Sequence, residues 1–154
     1  HMVMSTLHTN DAPQTLTRLA QIGIPAFNIA SAVNLIIAQR LARRLCKHCK
    51  QKIDIPKHAL LQLGFKEEAI ATGLEIYKAV GCDQCTDGYK GRVGIYQVMP
   101  ITEKIQVLIM EGANSMVIGQ QAQAEGILDI RQSALLKVQQ GLTSMEEINR
   151  VTKE

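Results

Sequence analysis

Four cysteines in two Cys-x-x-Cys pairs constrain this chain more than any other feature of its sequence. Cys46 and Cys49 form the first pair, Cys82 and Cys85 form the second, and residues 50–81 separate them. Two tight turns of this kind can bring four thiolates to the corners of a tetrahedron, which is the arrangement that structural zinc prefers. The sequence has no other cysteine. The spacing therefore predicts one zinc ion bound by all four side chains.

Other interpretations of the cysteines are two disulfides, unrelated buried thiols, a redox pair, or a ligand set that includes His48. Disulfides belong to oxidising compartments, and we expect a cytosolic chain because no secretory signal is recognised. A thioredoxin-like redox pair would explain one Cys-x-x-Cys but not two. His48 is a poor substitute ligand, because its neighbours already complete a four-sulfur shell. Since such a shell has no open coordination position, we expect a structural metal and not a catalytic one.

The first cysteine pair lies in a basic stretch that has three explanations. Its cations are Arg40, Arg43, Arg44, Lys47, Lys50, Lys52 and Lys57. They could compensate the negative charge of a zinc–thiolate cluster, or meet anionic lipid headgroups or an acidic partner. They could also bind nucleic acid, but the stretch lacks aromatic side chains that would stack on bases. Nucleic-acid binding is therefore the weakest of the three.

The composition is that of an ordinary folded domain with few aromatic side chains. Hydrophobic residues make up 46% of the 154 residues and aromatic residues 3%, so Leu, Ile, Val, Ala and Met must fill the core. The net charge of +3 is mild and does not by itself indicate a nucleic-acid partner. The richest apolar stretch, residues 29–38, is far shorter than the roughly 20 residues that span a bilayer. We expect any membrane contact to be peripheral.

The first part of the chain predicts a strand and two helices. Residues 3–7 are short and apolar, which predicts a buried strand. Asn10 or Asp11 can cap a first helix that has Pro13 in its first turn and ends at Gly23. A longer second helix is predicted from near Pro25 into the first cysteine pair. Its apolar face would be formed by Val33, Ile36, Ile37 and Leu41.

The rest of the chain predicts a short helix, two strands and four further helices. The short helix is expected at 56–63, and the strands at 75–80 and 93–98. The later helices are expected near 102–110, 115–124, 129–140 and 144–151. Thr143 and Glu146 form a predicted capping box for the last of them. We therefore expect three segments: residues 1–45, a tetracysteine zinc-binding module at 46–98, and a helical region at 99–154.

Several motifs in order along the chain resemble those of the type II/type IV secretion ATPases. The first is the run from Ser5 to Ala12, Ser-Thr-Leu-His-Thr-Asn-Asp-Ala, and the second is Ala-Gln-Arg-Leu at 38–41. The resemblance continues through the second cysteine pair, the segment 88–96 and the segment 141–147, so it covers essentially all residues. Type IV pilus assembly ATPases are the most similar, followed by type II secretion ATPases. Pilus retraction ATPases lack a tetracysteine module as a family.

The resemblance implies an α/β fold that is mostly α-helical here. The chain would be the C-terminal part of a RecA-like P-loop ATPase domain with an inserted zinc module. The intact protein would be a homo-hexamer that uses ATP and magnesium to power pilus assembly or secretion at the cytoplasmic face of the bacterial inner membrane. Its partners would be the inner-membrane platform and assembly proteins. Residues 1–45 would end the ATPase core.

The resemblance also implies roles for particular residues. His8 would fall in the family's His box, at the carboxyl end of a parallel strand, where ligands bind in such sheets. His8 or Thr9 would then sense the γ-phosphate of ATP. Gln97 is a departure, because many members of the family have Glu after Gly-Ile-Tyr, and a neutral hydrogen bond would replace any ion pair there.

No phosphate-binding loop occurs in the 154 residues, so we expect the chain alone not to hydrolyse ATP. The competing hypothesis is a stand-alone zinc-ribbon module that binds nucleic acid, supported by the basic stretch.

Overall fold

The computed structural model describes residues 1–152 and shows an α/β arrangement dominated by helices. The elements in chain order are α1 (Ala12–Gln21), α2 (Ala26–Ala32), β1 (Leu35–Leu45), β2 (Gln51–Ile53), α3 (Lys57–Gln62), α4 (Glu67–Ala71), β3 (Ile76–Lys78), β4 (Tyr89–Pro100), α5 (Glu103–Met110), α6 (Ser115–Ala124), α7 (Ile130–Gln139) and α8 (Met145–Val151). Strands β1 and β4 form one two-stranded sheet, and β2 and β3 form another. Among the helices described, none has both the length and the apolar character needed to cross a bilayer.

Strands β2 and β3 pair in antiparallel orientation, with Gln51 opposite Lys78 and Ile53 opposite Ile76. This small sheet lies between the two cysteine pairs in sequence. Ile76 is buried whereas Lys78 is exposed, so only part of this short sheet contributes to the core.

The described residues group into two compact units. One unit contains residues 1–39 and 96–129, and in it α1 packs on α6 while α2 and α6 pack on α5. Its buried side chains include Leu16, Ile29, Ile105 and Ile118. The other unit contains residues 40–95 and 130–152, and there α7 packs on α8 and on β3. The segmentation at residues 45 and 98 remains a prediction about domain organisation.

Most predicted elements are confirmed, because their signals are local. Asp11 caps α1 by accepting a hydrogen bond from the backbone N–H of Gln14 at 2.8 Å, and Pro13 lies in the first turn. Helix α6 has the predicted bounds, and α3, α5, α7 and α8 differ by a residue or two at their ends. The two predicted strands appear as β3 and β4, the first shorter and the second longer than expected.

The predicted strand at residues 3–7 was wrong for the structure described. These residues belong to no helix or strand, and the side chains of Val3 and Met4 are more than four-fifths exposed. A strand requires a neighbour for its backbone hydrogen bonds, and no strand within residues 1–152 pairs with this segment. Apolar composition alone therefore predicted burial that the described fold does not supply.

The predicted long helix was also wrong beyond Ala32. Helix α2 ends there, and Leu35–Leu45 form strand β1. Ile36 and Ala38 are buried whereas Ile37 is 57% exposed, which is the two-residue alternation of a strand. The same residues match a helical period by coincidence, and pairing with β4 decides between the two interpretations.

Gln97 is buried on β4 and contacts the beginning of α1. Its side-chain Oε1 accepts a hydrogen bond from the backbone N–H of Ala12 at 3.0 Å, which satisfies one of the unpaired donors of the helix N-terminus. The neutral hydrogen bond that the sequence predicted at this position is therefore present, and its donor is a backbone amide.

We expect Gln97→Leu to lower the free energy of unfolding by about 1–3 kcal/mol, because it leaves the buried N–H of Ala12 without an acceptor. Denaturant unfolding would measure the loss, with the exposed Gln120→Leu as a matched control. Equal stability of the two variants would contradict the assignment of this hydrogen bond.

Candidate metal centre

The four cysteine side chains converge on one point in the structure. Their sulfur atoms all lie within 4.8 Å of one another. The Sγ–Sγ distances are 3.8 Å between Cys46 and Cys82, 3.7 Å between Cys49 and Cys85, and 3.5 Å between Cys82 and Cys85. The two pairs, at 46–49 and 82–85, are called the first and second knuckle below. Both knuckles therefore contribute to a single site.

The sulfur spacing fits a tetrahedral metal and excludes disulfides. Four sulfurs at the usual zinc–sulfur distance of about 2.3 Å form a tetrahedron whose edges are about 3.8 Å long. A disulfide would bring two sulfurs to about 2.05 Å, and all four cysteines are free thiols. The four cysteines could therefore hold one metal ion, as their spacing in the sequence predicted.

Backbone geometry orients the sulfurs of the two knuckles. The N–H of Gly81 donates to Cys49 Sγ, and the N–H of Cys82 donates to Cys85 Sγ, each at 3.3 Å. With a metal bound, these donors would compensate negative charge on the sulfurs, as outer-shell groups of metal sites do. The first knuckle is also bonded to the chain that leaves the second, since the N–H of Cys46 donates to the carbonyl of Gly88 at 2.9 Å.

Gly88 permits that connection because it has no side chain. Its φ is +85°, and a Cβ there would lie 2.7 Å from both the Cβ of Ala79 and the backbone N of Val80. The chain that leaves the second knuckle at Gly88 therefore approaches the chain that enters it, at Ala79 and Val80, more closely than a side chain at position 88 would allow.

The thiols have strongly different proton affinities. The backbone N–H of His48 is the main cause that lowers the pKa of Cys46 to about 7. The N–H of Gln84 also lowers the pKa of Cys82, but burial and the three neighbouring thiols together raise it to about 12. Burial raises the pKa of Cys49 as well. Without a cation, the cluster therefore retains protons that a divalent metal would displace.

His48 does not join the sulfur cluster. Its side chain is exposed, and the group of ligand atoms found within residues 1–152 consists of the four cysteines. His8 is likewise exposed and precedes α1. The hydroxyl of Thr9 contacts the hydroxyl of Thr15 at 2.8 Å and the carbonyl of Asp11 at 3.2 Å. The structure thus places His8 and Thr9 at the start of α1, in the unit that does not contain the cysteines.

Much of the basic stretch is paired within the chain. Lys52 forms an ion pair with Glu75 at 2.9 Å, and Lys57 forms one with Glu67 at 2.7 Å. Lys50 Nζ donates to the carbonyl of Gly141 at 2.8 Å. These cations have acceptors already, which weakens the interpretation of the stretch as a nucleic-acid surface.

A buried carboxylate near the first knuckle was not recognised in the sequence. Glu147 is fully buried and accepts hydrogen bonds from the backbone N–H of Arg43 at 2.8 Å and from its Nε and Nη2 at 3.0 and 2.9 Å. Arg150 donates to the same carboxylate at 3.0 and 2.6 Å. Burial raises the pKa of Glu147, but these charged donors outweigh it and lower the pKa to about 2.

The predicted capping box lies one residue too early. Ser144 is the N-cap of α8 and accepts from the N–H of Glu147 at 3.2 Å, whereas Thr143 donates to the carbonyl of Arg43 at 2.9 Å. Ser144-x-x-Glu147 was the signal that could have located Glu147. That motif does not indicate which distant residues Glu147 contacts, because its side chain binds Arg43 of β1.

Comparison with known proteins gives the family of the chain. A family model described as type II/IV secretion system protein matches residues 1–150. The type IV pilus assembly ATPase PilB of Pseudomonas aeruginosa is 59% identical over 154 residues, which are 100% of this chain and 27% of that protein. The PilB protein of Myxococcus xanthus is 44% identical over 150 residues, which are 96% of this chain and 26% of that protein.

A secretion protein matches over a similar range. The type II secretion system ATPase E of Vibrio cholerae is 41% identical over 159 residues, which are 100% of this chain and 30% of that protein. The chain thus spans about 27% of the length of the Pseudomonas relative. Because the family model covers nearly every residue, the chain belongs to the type II/IV secretion system protein family.

Proposed function

We propose that this chain is the zinc-binding, C-terminal part of a hexameric, RecA-like ATPase that powers type IV pilus assembly. The observation that carries the proposal is the 59% identity to a type IV pilus assembly ATPase over all 154 residues. Type II secretion is the related alternative, supported by the 41% identity to a secretion ATPase. The higher identity favours pilus assembly. ATP and magnesium would bind in the intact protein and not within these residues.

Zinc is the metal that the donor set fits best. Four thiolates are soft ligands, and a tetrahedral all-sulfur shell with no open position is typical of structural zinc. Cys46, Cys49, Cys82 and Cys85 would hold the ion, and the ion would hold the two knuckles together. It would supply stability and not chemistry, since no coordination position remains for a substrate.

The motor hypothesis is tested by ATP turnover. We expect the purified 154-residue chain to show no steady hydrolysis, and a longer protein that contains it together with a phosphate-binding loop to hydrolyse ATP as a hexamer. A coupled phosphate assay and light scattering would measure both properties. Steady turnover by the 154-residue chain, after controls for contaminating ATPases, would contradict the proposal.

The metal hypothesis is tested by elemental analysis of material purified under reducing conditions, with one zinc per chain as the expected result. Zinc affinity should weaken steadily as the pH falls, because the thiols, above all Cys82 and Cys49 with their raised pKa values, must lose their protons to bind. The affinity should fall by roughly tenfold per pH unit for each proton displaced. A zinc affinity that is constant between pH 5.5 and 8 would contradict thiolate ligation.

His8 is proposed to sense the γ-phosphate in the intact protein, with Thr9 beside it. The support is the family motif and the exposure of His8 a few residues before α1, whereas the Thr9 hydroxyl already has local partners. We expect His8→Ala in the longer ATPase to lower turnover by about 10²-fold, the scale for removing one hydrogen-bond donor to the charge that develops in the transition state. The exposed His58→Ala serves as the control, and equal turnover of the two variants would contradict the role.

The partners and location follow from the motor hypothesis. The assembled protein would act at the cytoplasmic face of the bacterial inner membrane, against platform and assembly proteins of the pilus or secretion machine. The metal centre would keep the region around the knuckles rigid enough to transmit force. Peripheral contact with the membrane fits the basic residues that have exposed side chains, such as Lys47.

A further inference from the structure

We infer that the corner between α7 and α8 positions both cysteine knuckles, so that metal retention depends on Glu147 and on the hydroxyl of Tyr89. The corner is defined as residues 140–147 and is called the α7–α8 corner. This inference rests on the proposed metal centre. It assigns a function to the buried carboxylate of Glu147 and to the paired hydroxyls of Tyr89 and Ser144, none of which would be a metal ligand.

The α7–α8 corner binds the chain that enters the first knuckle. The N–H of Leu45, the residue before Cys46, donates to the carbonyl of Leu142 at 2.8 Å. Arg43 is bonded through its own N–H and guanidinium to Glu147, and through its carbonyl to Thr143. The last residues of β1 are therefore hydrogen-bonded through backbone N–H and C=O groups alike, which restrains the position of Cys46.

The α7–α8 corner also binds the chain that leaves each knuckle. Lys50 follows the first knuckle, and its Nζ donates to the carbonyl of Gly141 while lying 4.3 Å above the ring of Tyr77. Tyr89 follows the second knuckle, and its hydroxyl lies 2.6 Å from that of Ser144. The guanidinium of Arg43 lies 4.2 Å above the Tyr89 ring. One corner thus holds three of the four chain segments that flank the cysteines.

This arrangement matters for metal binding because the ligand geometry is strict. Cys46 and Cys82 belong to different knuckles, yet their sulfurs must stay about 3.8 Å apart to share one tetrahedral ion. Each knuckle orients its own sulfurs locally, whereas the position of one knuckle relative to the other depends on the pairing of β1 with β4 and on the contacts that brace these strands, including those of the α7–α8 corner. The outer contacts of metal sites commonly change metal affinity by about 10- to 100-fold when removed.

The burial of the corner agrees with a positioning role. Glu147 and Thr143 have no exposed surface and Ser144 is only 3% exposed, in a chain whose charged side chains are mostly at the surface. Glu147 forms ion pairs with two arginines, Arg43 and Arg150. Its isosteric amide can still accept the N–H of Arg43, but it cannot neutralise two guanidinium groups.

The experiment measures zinc release from the metal-loaded 154-residue chain under reducing conditions at pH 7.5. Zinc is transferred to an excess of a chromogenic chelator, and its rate of release is recorded. We expect Glu147→Gln to release zinc at least about tenfold faster than the unaltered chain. Tyr89→Phe retains the ring over Arg43 and loses only the bond to Ser144, so we expect release about two- to tenfold faster. The exposed Glu146→Gln controls for the loss of one negative charge and should release zinc at the unaltered rate.

A thermodynamic cycle separates positioning from general stability. The melting temperature of each variant is measured with zinc and after its removal. A positioning role predicts that zinc stabilises Glu147→Gln and Tyr89→Phe less than it stabilises the unaltered chain. Equal zinc stabilisation in all chains would overturn the inference, as would equal release rates. If Glu147→Gln fails to fold, Tyr89→Phe decides by the same readouts. If the unaltered chain binds no zinc, the proposed metal centre itself is refuted.

Discussion

Cys46→Ser is expected to remove zinc from the chain and to cause a large loss of stability. Cys46 is fully buried, its sulfur faces Cys82, and its N–H bonds to the chain that leaves the second knuckle. A metal that binds only the folded chain contributes its binding free energy to folding. At a zinc concentration of about 100 times Kd this contribution is about 3 kcal/mol, and that amount would be lost.

The expected result is a lower denaturation midpoint for Cys46→Ser, with the same decrease produced in the unaltered chain by a strong chelator. Elemental analysis and denaturant unfolding measure the two effects. His48→Ser is the matched control, because it lies in the same knuckle with an exposed side chain outside the sulfur cluster. A Cys46→Ser chain that retained both its zinc and its stability would refute the metal centre.

Glu147→Gln is expected to lower the free energy of unfolding at pH 7 by about 3 kcal/mol. The folded-state pKa of Glu147 is lowered from 4.5 to about 2, although burial alone would raise it, because Arg150 and Arg43 bind the charged form. Each pKa unit corresponds to about 1.4 kcal/mol, so the shift sets the scale. Removing the charge would also leave two arginines beside a neutral buried amide.

The pH dependence of this effect has a definite sign. A carboxylate whose pKa is lower in the folded state stabilises the fold above its unfolded pKa and loses that contribution as the pH falls. The difference in stability between the unaltered chain and Glu147→Gln should therefore be full at pH 6 and shrink between about pH 4.5 and 2. Unfolding of the metal-free chains would measure it, since thiol protonation then affects both chains equally.

The exposed neighbour provides the control for this prediction as well. Glu146→Gln removes the same charge from the same helix, and we expect its stability to follow that of the unaltered chain at every pH. If both substitutions had equal effects, the buried ion pairs of Glu147 would not be the source of the stabilisation.

The cysteine cluster could be predicted from the sequence because the signal of each pair is local. Each knuckle is a tight turn of four residues, so the spacing of Cys46 and Cys49 already orients two sulfurs toward one point. The start of α1 was predictable for the same reason, since Asp11 caps a helix that begins at the next residue. The roles of His8 and Thr9 were inferred from the family resemblance and remain predictions.

The second helix could not be predicted because two periodicities matched the same residues. Ile36 forms a helical stripe with Ile37 and Leu41, but it also alternates with Ala38 as one face of a strand would. Hydrogen bonds to β4, more than forty residues later in the chain, select the strand. The strand predicted at residues 3–7 was wrong for a different reason: its apolar residues have no pairing strand among the residues described.

The sequence by itself thus determined the family, the cysteine pairs and most helices, which depend on residue identity or on contacts a few positions apart. Only the tertiary structure decided that Glu147, 104 residues from Arg43, holds the strand that leads into the first knuckle. A buried carboxylate finds its partners by the folding of distant segments, because its charge must be neutralised wherever the core encloses it. No pattern along the chain records that pairing.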